Sequence, residues 1–333
     1  MDIMQKLYFT ETDKKMLSKL EQEFKVVFKS GDSVAIKLHM GEIYNPNHLQ
    51  PDFVRKVAKL MASMNLKPFL FDSPTMYSGP RHTAEGYIKQ AAGMGFTEEN
   101  IGCPVVVSDD YIESKGKHLT YQVCKPLAEA DGILVLTHFK GHACAGMGGA
   151  VKNLGMGALT SKSKADIHEG SMPLLKGKCS LCKKCLEVCP TGCIKYDEHG
   201  PCFNYKNCYG CSKCIQNCPN KCLKPRLAEF DDLLADGANA ALKKFKNVYF
   251  VNVLRRITNV CDCSSKDLHI VCPDIGILMG RDACAIDRAS VDLVNRRSGR
   301  DLFLELWYKQ PLTHVVAAGK LGMGSSEYEI EDA

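Results

Sequence analysis

The sequence has neither the low-hydrophobicity composition of a disordered chain nor the internal period of a repeat solenoid. Its opening, MDIMQKLYFTETDKK, lacks the apolar core of a secretory signal. No uncharged apolar run reaches the roughly 20 residues that a bilayer-spanning helix needs. No membrane segment is expected, and a cytoplasmic location is. Two phosphate-binding patterns, G-x-G-x-x-G and G-x-x-x-x-G-K-[ST], are also missing, which disfavours dinucleotides and ATP as ligands. No nucleic-acid recognition motif is visible, so nucleic acid is not an expected partner.

What is present is an ordinary globular chain of 333 residues, 45% hydrophobic and 24% charged, with 18 cysteines. Without a signal segment, that many cysteines points to thiols and metal ligation rather than to disulfides. The net charge of +5 is unevenly placed. Residues 172–226 hold ten Lys/Arg and three Asp/Glu, a balance of +7, which leaves −2 for the remainder.

Strand-like runs alternate with helical periodicity. Val34–Leu38, Pro68–Phe71, Val105–Val107, Gly132–Leu136, Val248–Val253 and Ile275–Leu278 read as strands. Pro51–Asn65, Leu227–Phe245 and Ala285–Arg297 read as helices, and Val315–Ala318 as a last strand. The expected fold class is therefore α/β, a mostly parallel sheet flanked by helices. The expected domains are a discontinuous α/β body, 1–171 and 227–333, and an inserted small α+β domain, 172–226.

The insert carries the sharpest signal. Cys179-x-x-Cys182-x-x-Cys185-x-x-x-Cys189-Pro190 recurs 29 residues later as Cys208-x-x-Cys211-x-x-Cys214-x-x-x-Cys218-Pro219. Zinc sites use paired C-x-x-C knuckles rather than this duplicated run. The block resembles the bacterial two-[4Fe–4S] ferredoxins, in which the fourth cysteine of each run ligates the other cluster. That resemblance implies one cluster on Cys179, Cys182, Cys185 and Cys218, and a second on Cys208, Cys211, Cys214 and Cys189. Cys193 and Cys222, four residues after each fourth ligand, read as packing residues, and Cys202 stays outside the ligand set. Two cluster sites of charge −2 would bring the block to +3, a face suited to an acidic electron carrier of the ferredoxin or flavodoxin type.

Three further segments look chemical: Lys37-Leu-His39-Met-Gly41-Glu42; His138-Phe-Lys140-Gly-His142-Ala-Cys144 running into a glycine-rich stretch that ends at Lys152-Asn153; and Cys261-Asp262-Cys263. In a parallel sheet all three can meet on the edge where strands end. The glycine-rich stretch precedes a helix, whose N-terminus favours an anion. Cys261 and Cys263 are candidates for a third metal or cluster site, whereas Cys103, Cys124 and Cys284 read as core. IKLHMGE, HFKGHACAGMGGAVKNLGMG, CDC followed by PDIGIL, and GKLGMGSSEYE resemble the family called DUF362, a domain of uncharacterised function often found with an inserted ferredoxin. The resemblance implies an α/β fold and supplies no reaction.

These features lead to the expectation of an iron–sulfur oxidoreductase of low potential in a reducing, anaerobic cytoplasm. Electrons would pass through two [4Fe–4S] clusters to a site built from His39, Lys140, His142 and Lys152, together with Lys37, Glu42, His138, Cys261 and Cys263. Lysines would hold a small anionic substrate and a histidine would supply protons. The alternative is a non-catalytic ferredoxin-like carrier, or a subunit feeding a separate reductase.

Overall fold

In the computed structural model, which describes residues 4–266 and 268–333, one eight-stranded sheet organises the chain. Its strands are β1 (Gln5–Thr10), β2 (Ser33–Lys37), β3 (Lys67–Asp72), β4 (Val105–Val107), β5 (Gly132–His138), β6 (Asn247–Leu254), β7 (Gly276–Gly280) and β8 (Tyr328–Asp332). The spatial order is β8-β1-β7-β6-β5-β2-β3-β4. Only β7 runs antiparallel to its neighbours β1 and β6; every other pairing is parallel. The expected α/β class with a mostly parallel sheet is the class found.

The central strands are apolar on both sides because both faces are covered. Ile36, Leu134, Leu136 and Val251 face one core, which α1 (Asp13–Val27), α2 (Pro51–Ser63) and α3 (Ala84–Gly93) cover. Met16, Leu20 and Phe24 of α1 recur four apart and form a single buried stripe. Ala35, Ile133 and Val135 face the other core. There they meet α4 (Ala150–Gly157), α5 (Ser161–Gly170), α6 (Phe230–Leu242), α7 (Ala283–Ser298) and α8 (Thr313–Lys320).

One expected strand is a helix. Val315–Ala318 belongs to α8, where His314, Val315, Ala317 and Ala318 are buried and Val316 is 51% exposed. A run of four small apolar residues is too short for its period to distinguish the two states. The last strand is instead β8, beyond a turn, with charged residues along the sheet margin.

After β2 the chain moves outward through β3 and β4, then returns to lay β5 on the other side of β2. The crevice at the C-terminal ends of β2 and β5 is therefore the topological switch point, where α/β sheets bind ligands.

Residues 173–225 leave and rejoin the body at one place, through the antiparallel strands Pro173–Leu175 and Leu223–Pro225. Between them Cys185, Cys193, Ile194, Cys214, Ile215, Cys222 and Leu223 form a separate small core. Its two halves repeat in conformation. Left-handed residues fall at Leu181, Lys183 and Gly192, and again 29 positions on at Gly210, Ser212 and Lys221.

Candidate cysteine cradle and strand-edge site

Two cavities open in the cysteine-rich segment. The first, about 280 Å³ including space open to solvent, is lined by Cys179, Cys182, Cys185 and Cys218, with Cys222 also in its wall. The second, about 330 Å³ including space open to solvent, is lined by Cys208, Cys211, Cys214 and Cys189, with Cys193 also in its wall. Each cavity thus draws three cysteines from one run and the fourth from the other. The left-handed turns aim main-chain donors at sulfur, Leu181 N–H to Cys179 Sγ at 3.3 Å and Gly210 N–H to Cys208 Sγ at 3.4 Å. Cys193 and Cys222 are buried, with their sulfurs 3.6 Å and 3.4 Å from those of Cys189 and Cys218.

The halves differ in what lies behind them. Leu181 is 45% exposed, whereas a side chain at its counterpart Gly210 would run into the His168 carbonyl of α5. Cys211 packs into the main core, and its carbonyl accepts from Lys309 Nζ at 2.9 Å. Ser212 Oγ accepts the Phe230 N–H at 2.9 Å, and Gln216 donates to Glu229 and Asp231 at 2.8 Å and 3.0 Å. The second cavity is therefore seated on the α/β body and the first points away from it.

At the switch point the three segments singled out in the sequence do meet. Lys37 is buried and held at 3.0 Å by Asp72 and 2.9 Å by Asn153 Oδ1. Asn153 in turn donates to Thr137 Oγ1 and the Leu136 carbonyl, which ties α4 to β5 and β2. Asp262 sits between His138, at 2.8 Å, and Lys140, at 2.9 Å, all three buried. His138 and Lys140 outweigh burial and hold the Asp262 carboxyl well below the usual carboxylate range. Lys37 and Lys140 are thus committed to internal carboxylates.

The glycine-rich stretch places an anion at a helix N-terminus, and that anion is the protein's own. Asp287 accepts the Ala150 and Val151 N–H groups of α4 at 2.6 Å and 2.9 Å, and the Asn252 amide at 2.8 Å. Burial pushes its carboxyl up to about 6. Asp287 thus takes two of the main-chain donors that a substrate anion was expected to meet at this terminus.

Cys261 is a buried thiol at the same edge. Its thiol lies well below its ordinary range because Cys263 hydrogen-bonds to it, with Lys152, His142 and His39 adding to the effect against burial. The Cys263 N–H donates to its sulfur at 3.3 Å. His142 Nδ1 accepts the Cys144 and Ala145 N–H groups at 3.2 Å and 3.1 Å, which leaves the ring proton on Nε2, facing Cys261. Burial, then Lys152, lowers His142 to about 4, and burial also lowers His39. Among the described residues no three or more His, Cys, Asp or Glu side chains are grouped so as to hold a metal ion.

Several residues of the edge gave no sequence signal. Arg81, 2% exposed, donates to Glu42 at 2.6 Å and 2.9 Å, to Tyr77 at 2.9 Å and to the Cys263 carbonyl at 3.2 Å. Tyr87 donates to Asp72 at 2.6 Å. They lie in a turn and on a helix remote in sequence from every motif. Cys103, Cys124 and Cys284 are buried, as their reading as core residues required. No described helix is long and apolar enough to cross a membrane.

A search of curated proteins found no match. Among solved structures, the chain is similar to a crystal structure of a protein from Thermotoga maritima, with 11% identity and a TM-score of 0.47. That likeness covers 87% of this chain and 59% of the other. It is also similar to the lactate racemase apoprotein from Thermoanaerobacterium thermosaccharolyticum, with 14% identity, a TM-score of 0.39, and coverage of 84% and 54%. The chain thus spans little more than half the length of either. A family model described as a domain of unknown function, DUF362, matches residues 34–292, and with that match over most of its length the chain belongs to the DUF362 family.

Proposed function

We propose that the eight cysteines hold two [4Fe–4S] clusters and that the protein is an iron–sulfur electron-transfer protein, an oxidoreductase whose receiving site is the strand edge of the α/β body. The observation that carries this reading is the crossed composition of the two cavities, three cysteines from one run and the fourth from its twin in each. Thiolates around a cavity, with main-chain N–H groups turned toward sulfur, are the donor set a cubane needs. Bound there, the clusters supply one-electron transfer at low potential. Around the first cavity Leu181 and Leu186 are 45% and 43% exposed beside the exposed Lys183 and Lys184. Exposed apolar and basic side chains close in sequence to the ligands of the first cavity suit an acidic carrier of the ferredoxin or flavodoxin type.

Anaerobic purification followed by iron, sulfide and whole-metal analysis tests this. About eight iron and eight sulfide per chain are expected. A colourless protein holding zinc on these cysteines would end the reading.

The non-catalytic carrier keeps one observation in its favour: Lys37 and Lys140 are spent on Asp72 and Asp262, so fewer cations remain to hold a substrate. Turnover of any reducible anion that is unchanged in the His142→Ala, Lys152→Ala variant would select the carrier.

A further inference from the structure

The two halves of the insert put one lysine in opposite surroundings. Lys184 and Lys213 are counterparts 29 positions apart, each standing just before the third cysteine of its run. Lys184 is exposed, whereas Lys213 is 2% exposed. Cysteines aside, and among the described residues, Lys213 is the only charged residue in the wall of either cavity, and that cavity is the second. Among the described residues its ammonium makes no hydrogen bond and no ion pair. What it has is the Trp307 ring, whose centre lies 4.8 Å away and whose N–H is anchored on the Asn259 carbonyl at 2.8 Å. A ring face attracts a cation without neutralising it. The other buried ammonium nearby, Lys309, already has its carboxylate in Asp231 at 2.7 Å. A buried charge left without a counter-ion is destabilising. The anion that Lys213 lacks therefore belongs inside the second cavity.

We propose that Lys213 is the counter-charge of the second cluster and sets its reduction potential, so that electrons run from the exposed site to the one seated on the body. This rests on the cluster reading above. A cluster on four thiolates is anionic, and one added electron deepens that charge. Potentials follow charge, hydrogen bonds to sulfur and exposure to solvent. The main-chain donors to sulfur are alike in the two halves, at 3.3 Å and 3.4 Å. Burial by itself would make the second cluster the harder to reduce, since added negative charge is poorly solvated there. Lys213 opposes that penalty at close range, where a low dielectric strengthens the attraction and salt screens it little. Lys184 stands in water, where its charge is screened. In the transfer one electron leaves the first cluster, which is oxidised, and reduces the second; no proton or further reactant is required.

The full-length holoprotein is purified anaerobically and titrated potentiometrically, with the EPR signals of the reduced clusters fitted as two one-electron waves. Lys213→Met should lower one wave by about tenfold in its reduction equilibrium, ~59 mV for one electron, and leave the other in place. In the wild type that same wave should be the higher of the two or level with its partner. Lys213→Arg, which keeps the charge, should hold the wild-type waves, and Lys184→Met should move neither. If the second cluster does not survive the loss of charge, Lys213→Met should hold about half the iron while Lys213→Arg holds all of it. The proposal is overturned by waves that Lys213→Met leaves unmoved, or by a moved wave that is the lower one in the wild type. It is also overturned if Lys213→Arg shifts or loses iron as Lys213→Met does, or if Lys184→Met shifts a wave as far. Iron and sulfide are counted in the same samples. A chain without clusters ends the reading above and this one with it, whereas full loading with unmoved waves ends this one alone.

Discussion

Lys309 and Asp231 form an ion pair at 2.7 Å with both side chains essentially shut off from solvent. The same ammonium donates to the Cys211 carbonyl, so one buried cation joins the loop before α8 to the start of α6 and to the wall of the second cavity. Removing one partner of such a pair leaves an uncompensated buried charge. Lys309→Met is therefore expected to lower stability by about 3 kcal/mol in urea unfolding. It should also speed iron loss to a chelator from the second cavity more than from the first.

Crossed ligation has a signature in double variants. Cys179→Ser with Cys218→Ser should cost no more iron than either change alone, because both side chains line one cavity. Cys179→Ser with Cys189→Ser should strip both sites, since these two line different cavities. The reverse order, with the first double variant stripping both sites and the second only one, would mean that each run fills its own site.

Asp262 stands between His138 and Lys140, so its removal should leave the buried Lys140 ammonium without its carboxylate. Asp262→Ala is expected to cost about 3–5 kcal/mol of unfolding free energy. Adding Lys140→Met should recover part of that loss, because the stranded ammonium goes with it. A double variant no more stable than the single would show that Lys140 finds another partner.

His314 gives a pH dependence. Both its ring nitrogens are buried without a hydrogen-bond partner among the described residues, and burial, then Lys309, holds it at about 3. In the unfolded chain it titrates near 6.5. Between those values the unfolded state binds a proton that the folded state refuses. Stability is therefore complete above about 6.5 and falls as pH drops toward 3. His314→Leu should flatten this slope by up to about 1.4 kcal/mol per pH unit, measured by chemical unfolding from pH 7 to pH 4. A variant with the wild-type slope would show that the imidazole is solvated.

The buried strands were legible because their middles must be apolar whichever face they show: Val34–Ile36 and Ile133–Leu136 are covered on both sides. The margins were not. β1 and β8 carry charges where one side meets water, and α1 advertises itself only through Met16, Leu20 and Phe24. Lys37 and Lys140 were visible as residues at strand ends. Their being taken up by Asp72 and Asp262 was not, since those partners are 35 and 122 positions away. Arg81 was invisible for the same reason, its contacts with Glu42 and Cys263 being made only once the strands lie side by side.

The amino-acid order alone determined the duplicated cysteine runs and the α/β alternation. Both depend on spacing along the chain, three residues for a thiol loop and two or four for a buried face. Tertiary structure decided the rest: that α4 is capped by Asp287, that the second cavity is the one seated on the body, and that His142, Lys152 and Cys263 gather on Cys261. Those are encounters between distant segments, and the electrostatics of a site follow from which charges meet in a low-dielectric interior, not from where they stand in the chain.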